Sequence, residues 1–341
     1  MKKITIPVFS MALLISNVFI YAQEGKEKED RKKLEFVKEK NISKTYPASG
    51  NKLSIENSFG HVKFIAWDKN EIKVDVHIEA SSNQQDMAQK IFDAISVSDK
   101  QQGNDIQFKT TIGNKNNKSD NCKNCKSNMH IDYEVHLPTS VALDIENSFG
   151  NTELPDYSGA VSLSNKFGHL TTGSLANVKN ITVEFGEADI KNISNIDATF
   201  KFSKIDIANL SGKNKIKLEF CDATKINLDI NLTSLNLNES YSTVNIKPGN
   251  LSASYNISTS FGNFVDRSSI GVKRTDTPDK YGPDSDKTFE GKSGNGSAKI
   301  DIKSSFGKII LGEATAEDMK DKEKKDKSKS KNKSKAGVVR I

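Results

Sequence analysis

The chain has 341 residues, 35% of them apolar and 28% charged, with a formal net charge of +6. So low an apolar share argues against one compact globule and suits a thin core in which each repeat touches only its neighbours. The positive charge sits at Lys2, Lys3 and in the run 317–341, leaving 23–316 at −1, so that span lacks the electrostatic footprint of a nucleic-acid binder.

In chain order, Lys2 and Lys3, the apolar stretch Ile4 to Tyr21 and the small Ala22 predict a secretory signal peptide over 1–22 and a mature start at Gln23. The stretch is borderline long enough for an anchor helix. The charged segment from Glu24 favours cleavage, which leaves no transmembrane segment. No cysteine lies near the cut, which argues against a lipoprotein anchor.

Residues 23–44 read as a charged linker, and 45–315 as a β-strand repeat domain. Within it, Met87, Ile91, Phe92 and Ile95 recur at helical spacing, which predicts one helix over 83–95. That helix is expected to cap the N-terminal end, where strand edges would otherwise lie open. A strand over 105–112, a polar loop over 113–128 and a strand from Met129 to Leu137 follow. A second polar insert spans about 271–296. The stretch 316–341 reads as a Lys-rich disordered tail ending in strand-like Val338 to Ile341. It is expected to touch acidic surfaces through a weak, salt-sensitive attraction.

A short unit recurs throughout the repeat domain: IENSFG at 55–60 and 145–150, LSNKFG at 163–168, ITVEFG at 181–186, then looser copies to ISTSFG at 257–262 and IKSSFG at 302–307. Its aromatic residues, Phe149, Phe167, Phe185, Phe202, Phe220, Tyr241 and Phe261, are spaced by 18, 18, 17, 18, 21 and 20. An apolar residue lies four positions before each aromatic, and a small residue follows it. The apolar parity changes across the small residue, so a bend there would keep both half-strands facing one core. Each unit is therefore expected to be two short strands joined by a corner. The fold class expected is all-β, a single-domain β-solenoid or right-handed parallel β-helix, with an antiparallel sandwich as the alternative. The aromatics are expected to form an interior column, so Phe185→Ala should cost about 3–5 kcal/mol.

These S-F-G and N-x-F-G units, with the opening block SFGHVKFIAWDKNEIKVDVHIEASS and the helix after it, resemble the bacterial putative-adhesin family of exported β-strand-repeat proteins. The resemblance covers most of 45–311 and implies an exported β-helix-like domain with no assigned catalytic residue.

Candidate chemistry is sparse. Cys122 and Cys125 form a CxxC in a polar loop with no helix to lower a thiol pKa, and are expected to be a disulfide of an oxidising compartment. His130 and His136 are too far apart to join those thiolates on one ion, and His61, His77 and His169 look scattered. Cys221 fills a small-residue slot as a buried thiol. Asn147 and Asn165 share a slot in adjacent units, read either as an interior amide ladder or as solvated turn residues. Trp67 is assigned to core packing by default. Asp189, Asp206 and Asp222 lie near successive corners, the placement a polysaccharide-cleaving β-helix would need. With no catalytic residue, cofactor or metal site expected, the reading is an exported, non-enzymatic structural or interaction protein. Its expected place is the periplasm or cell surface, and its expected partner a glycan or envelope protein. A carbohydrate-active enzyme and an envelope assembly or regulatory factor are the alternatives.

Overall fold

The computed structural model describes residues 34–113, 124–278 and 283–319. Among these residues the fold is all-β with one helix, Gln85–Ala94. The predicted signal peptide, Cys122 and residues 320–341 lie outside the described residues.

The repeat fixes two long ladders. Before the corner, strands Lys52–Ser58, Ala142–Ser148, Tyr157–Lys166, the second half of His169–Glu184, Asp197–Lys201, and the second halves of Lys204–Glu219 and Thr224–Ser240 pair in parallel. Their register brings Ile55, Ile145, Leu163, Ile181, Ala198, Ile216 and Leu237 into line, all buried. After the corner, a second parallel ladder runs through Val62–Ala66, Thr152–Leu154, the first half of His169–Glu184, Glu187–Ser194 and the first half of Lys204–Glu219. It buries Val62, Leu170, Ala188 and Ile205. Side chains alternate along each strand, so one face of every unit joins a continuous apolar core.

At the C-terminal end the sequence order breaks. Strand Ala298–Ser305 inserts between Thr224–Ser240 and Ala253–Ser260, and Lys308–Gly312 inserts between Thr243–Lys247 and Asn263–Arg267.

Both ends carry antiparallel strands. Phe36–Pro47 pairs with Glu71–Ser82, which pairs with Ser127–Leu137. Ile95–Gln102 covers Asp105–Ile112, and Asp286–Lys292 covers Ala253–Ser260. The helix forms as its spacing predicts, buries Ala88, and packs on the strands of the N-terminal end.

Several sequence expectations are corrected. The segment read as a linker supplies strand Phe36–Pro47, whose exposed, charged residues disguise its antiparallel pairing. The second polar insert contains strands Lys273–Arg274 and Asp286–Lys292, tied by Arg274, whose guanidinium pairs with Asp276 and Asp284. Folded structure also runs past 315: the Asp318 carboxylate accepts from Lys308 at 2.7 Å and Arg267 at 2.8 Å. Trp67 is not core. It caps a surface turn, its Nε1 donating to the Glu71 carbonyl at 2.7 Å.

Candidate functional site

Each corner is made by the aromatic residue itself. Nine of them, Phe59, Phe149, Phe167, Phe185, Phe202, Phe220, Tyr241, Phe261 and Phe306, have φ between +49° and +64°. The left-handed conformation costs an L-residue roughly 1–2 kcal/mol. It also turns the ring away from the core. The expected interior column is therefore corrected: Phe149, Phe167, Phe185, Phe202, Phe220, Tyr241 and Phe261 are 47–59% exposed, and Phe306 is 46% exposed.

The rings nonetheless form one column. Neighbouring centroids lie 4.7–5.1 Å apart with planes within 8° of parallel, in the order Phe59, Phe149, Phe167, Phe185, Phe202, Phe220, Tyr241, Phe306, Phe261. Phe306 stands between Tyr241 and Phe261 because its strand is the inserted one. Eight steps at the inter-strand spacing make an apolar ridge roughly 40 Å long.

At the corners from Gly60 to Gly186 the residue after the aromatic must be glycine for lack of room. A Cβ on Gly168 would lie 2.0 Å from the Gly150 carbonyl oxygen, and one on Gly150 would lie 1.8 Å from that of Gly60. Beneath these corners Asn57, Asn147 and Asn165 are buried. Asn57 donates to the Asn147 side chain at 3.3 Å, Asn147 donates to Thr152 Oγ1 at 3.2 Å, and Thr152 donates to Asn165 Oδ1 at 2.7 Å. The interior amide ladder is thus formed, with Thr152 as a link.

Along the ridge, charges neutralise one another. Lys166 pairs with Glu184 at 3.2 Å and Lys201 with Glu219 at 3.5 Å on one flank; His169 and Lys204 approach Glu187 on the other. The ridge is apolar between self-compensated rails.

The other candidates fall elsewhere. Asp189 and Asp206 are register neighbours on an outer face, but His169 Nε2 meets Asp189 at 2.8 Å and Lys225 meets Asp206 at 3.6 Å. Asp222 sits at a corner two residues after its aromatic, where Asp189 and Asp206 each sit four residues after theirs, so the three do not share a row. Cys221 is a free, buried thiol pushed up to about 11 by burial. Cys125 is disulfide-bonded. Buried Glu239 is pushed up to about 7, again by burial, although Ser304 and the Ser242 backbone N–H both donate to it. Phe59 and Phe306 belong to the column, and the signal that finds them is the SFG triplet each one centres.

No family model and no curated protein matches the chain. Three solved structures resemble it at low TM-score. A putative cell adhesion protein from Clostridium sporogenes is 11% identical, with 81% of this chain and 100% of that one covered and a TM-score of 0.22. A putative adhesin from Bacteroides fragilis is 12% identical over 80% and 97% of the two chains, at 0.38. A putative lipid binding protein from Parabacteroides distasonis is 11% identical over 82% and 98%, at 0.29.

Proposed function

We propose that this chain is an exported, adhesin-like interaction protein without catalytic activity, and that its docking face is the aromatic ridge. The parallel units are read as a β-solenoid, a scaffold that holds a long face rigid. The observation that carries the proposal is the ridge itself: nine aromatic residues hold a left-handed backbone, and eight of them stand half-exposed outside the core, Phe59 being partly buried against it. Stacking returns about 0.5–1.5 kcal/mol per pair, comparable to the backbone cost, so the ridge adds little to folding. What it adds is a contiguous exposed apolar strip, the usual mark of an interaction surface.

The ring geometry selects the partner class. Within the column each ring is covered by a neighbour on both faces, the terminal Phe59 and Phe261 on one only, so the ridge presents edges along its length and offers no run of open faces for sugar stacking. A protein of the cell envelope fits it better than a glycan. The bonded Cys125 supports an oxidising compartment. Among the described residues no helix is long and apolar enough to cross a membrane.

The test uses mature protein and a variant carrying Phe167→Thr, Phe185→Thr and Phe202→Thr. Wild type is expected to bind an envelope fraction, to lose that binding when the fraction is protease-treated, and to leave a glycan array silent. The variant is expected to stay folded and not bind. Equal binding by the variant, or turnover of an arrayed glycan, would overturn the proposal.

A further inference from the structure

Four of the five histidines, scattered in sequence, share one face of the antiparallel sheet at the N-terminal end. Along strands Phe36–Pro47, Glu71–Ser82 and Ser127–Leu137, residues Ile42, Val76, Ile78, Ile131 and Tyr133 turn inward. Outward therefore point Glu39, Asn41 and Ser43, then Glu79, His77 and Asp75, then His130, Asp132 and Glu134, with His136 beyond. His61 lies beside them, its backbone N–H donating to Asp132 at 2.8 Å. A surface groove of about 490 Å³ runs along this face, lined in part by Asn41, His61, His77 and Asp132.

Two sets of three side chains on this face bring their donor atoms within 4.8 Å of one another: Glu39, His77 and Glu79, and Asp75, Glu134 and His136. The second already holds a cation, since Lys73 donates to Asp75 at 2.6 Å. The first does not: among the described residues no ion pair reaches Glu39 or Glu79. Yet these two carboxylates stand directly opposite each other in the antiparallel register, where like charges repel. His77 Nδ1 lies 2.8 Å from Asn41 Oδ1; an imidazole that donates through Nδ1 to that oxygen keeps its Nε2 lone pair for a metal, the outer-shell arrangement of metal-binding imidazoles.

We infer that Glu39, His77 and Glu79 form a binding site for a divalent transition-metal ion of the zinc class, open on its solvent side. One imidazole nitrogen and two carboxylates suit zinc, copper or nickel; calcium and magnesium take oxygen ligands and would leave the imidazole unused. The ion replaces the repulsion between Glu39 and Glu79 with a bridge and joins the edge strand Phe36–Pro47 to the body of the sheet.

The test is calorimetric titration of metal-free mature protein with zinc chloride. Wild type is expected to take up zinc, and His77→Gln and Glu79→Gln each to lose at least tenfold in affinity. His169→Gln, at the one histidine off this face, should bind like wild type. Zinc should raise the Tm of wild type and not of Glu79→Gln, while metal-free Glu79→Gln should melt no lower than wild type. That last readout separates a lost ligand from a lost fold, and Glu39→Gln, at the exposed edge, should repeat it. Absence of zinc uptake, equal uptake by the His77 and Glu79 variants, or equal uptake of calcium chloride would overturn the inference.

Discussion

Four successive corners of the stack, at Gly60, Gly150, Gly168 and Gly186, differ from the three that follow, at Ser203, Cys221 and Ser242, although all seven carry the same outward ring. In the first group the backbones nearly touch, and at the first corner an interior amide serves them: Asn147 donates to the Gly60 carbonyl at 3.2 Å. In the second group the residue after the aromatic folds its own side chain inward. Ser203 Oγ donates to the Lys201 carbonyl at 2.6 Å and accepts from the Gly186 N–H at 3.3 Å; Ser242 Oγ does the same for Ser240 and Cys221. The interior slot two residues before the ring is then freed for Phe200 and Leu218. One backbone requirement, a partner for the corner's polar groups, is met by two different residues; the interior slot does not follow that choice alone, since it holds Val183 in the first group and Glu239 in the second.

The largest effects should come from mixing these solutions. Gly168→Ala puts a Cβ against the Gly150 carbonyl and should destabilise by about 3 kcal/mol, measured by chemical denaturation; a loss under about 1 kcal/mol would mean that the glycine corners have room to spare.

Glu239 is the one acid in the interior slot, beneath Ser242. Its folded pKa of about 7 lies above the unfolded value near 4.5. Between these pH values the native state keeps a proton that the unfolded chain has lost. Stability from this group is therefore fully present below pH about 4.5, falls as pH rises, and is lost by about pH 7, a change of roughly 3 kcal/mol. Glu239→Gln should flatten the Tm profile from pH 5 to 8; an unchanged slope would assign the dependence elsewhere.

Ser203→Ala leaves the Gly186 N–H without its bond, and should cost about 1–2 kcal/mol in the same denaturation assay. At the small end stands Phe185→Gly. It removes two stacked contacts and half-exposed area but relaxes a backbone at φ +57°. The net should stay within about 1 kcal/mol of wild type. The 3–5 kcal/mol of a buried ring would restore the interior column.

That reversal marks how far the sequence could be read. The period, the strand–corner–strand unit and the lining Ile and Leu positions follow from residue types alone, because side-chain alternation is a local property. Which of two adjacent residues holds the positive φ does not. Glycine is the default choice, and assigning the bend to Gly168 instead of Phe167 moves every ring across the sheet. The glycine is there for contact with the neighbouring unit, a relation that no single unit contains. The histidine face was hidden for a related reason: His77 and His130 become neighbours only through the register of two antiparallel strands.

The inserted final strands set an order for folding. From strand Asp105–Ile112 up to Ser240, a chain that folds from its N-terminal end can add each strand to a partner already in place. Strand Ala253–Ser260 breaks that rule, since its parallel partner, Ala298–Ser305, has not yet emerged. Docking it early on Thr224–Ser240 would occupy the place that Ala298–Ser305 takes in the native ladder. The hairpin with Asp286–Lys292 gives it an interim partner on its other edge. The last two units must close together, so the stack ends in a latch that neither sheds nor gains one unit at a time.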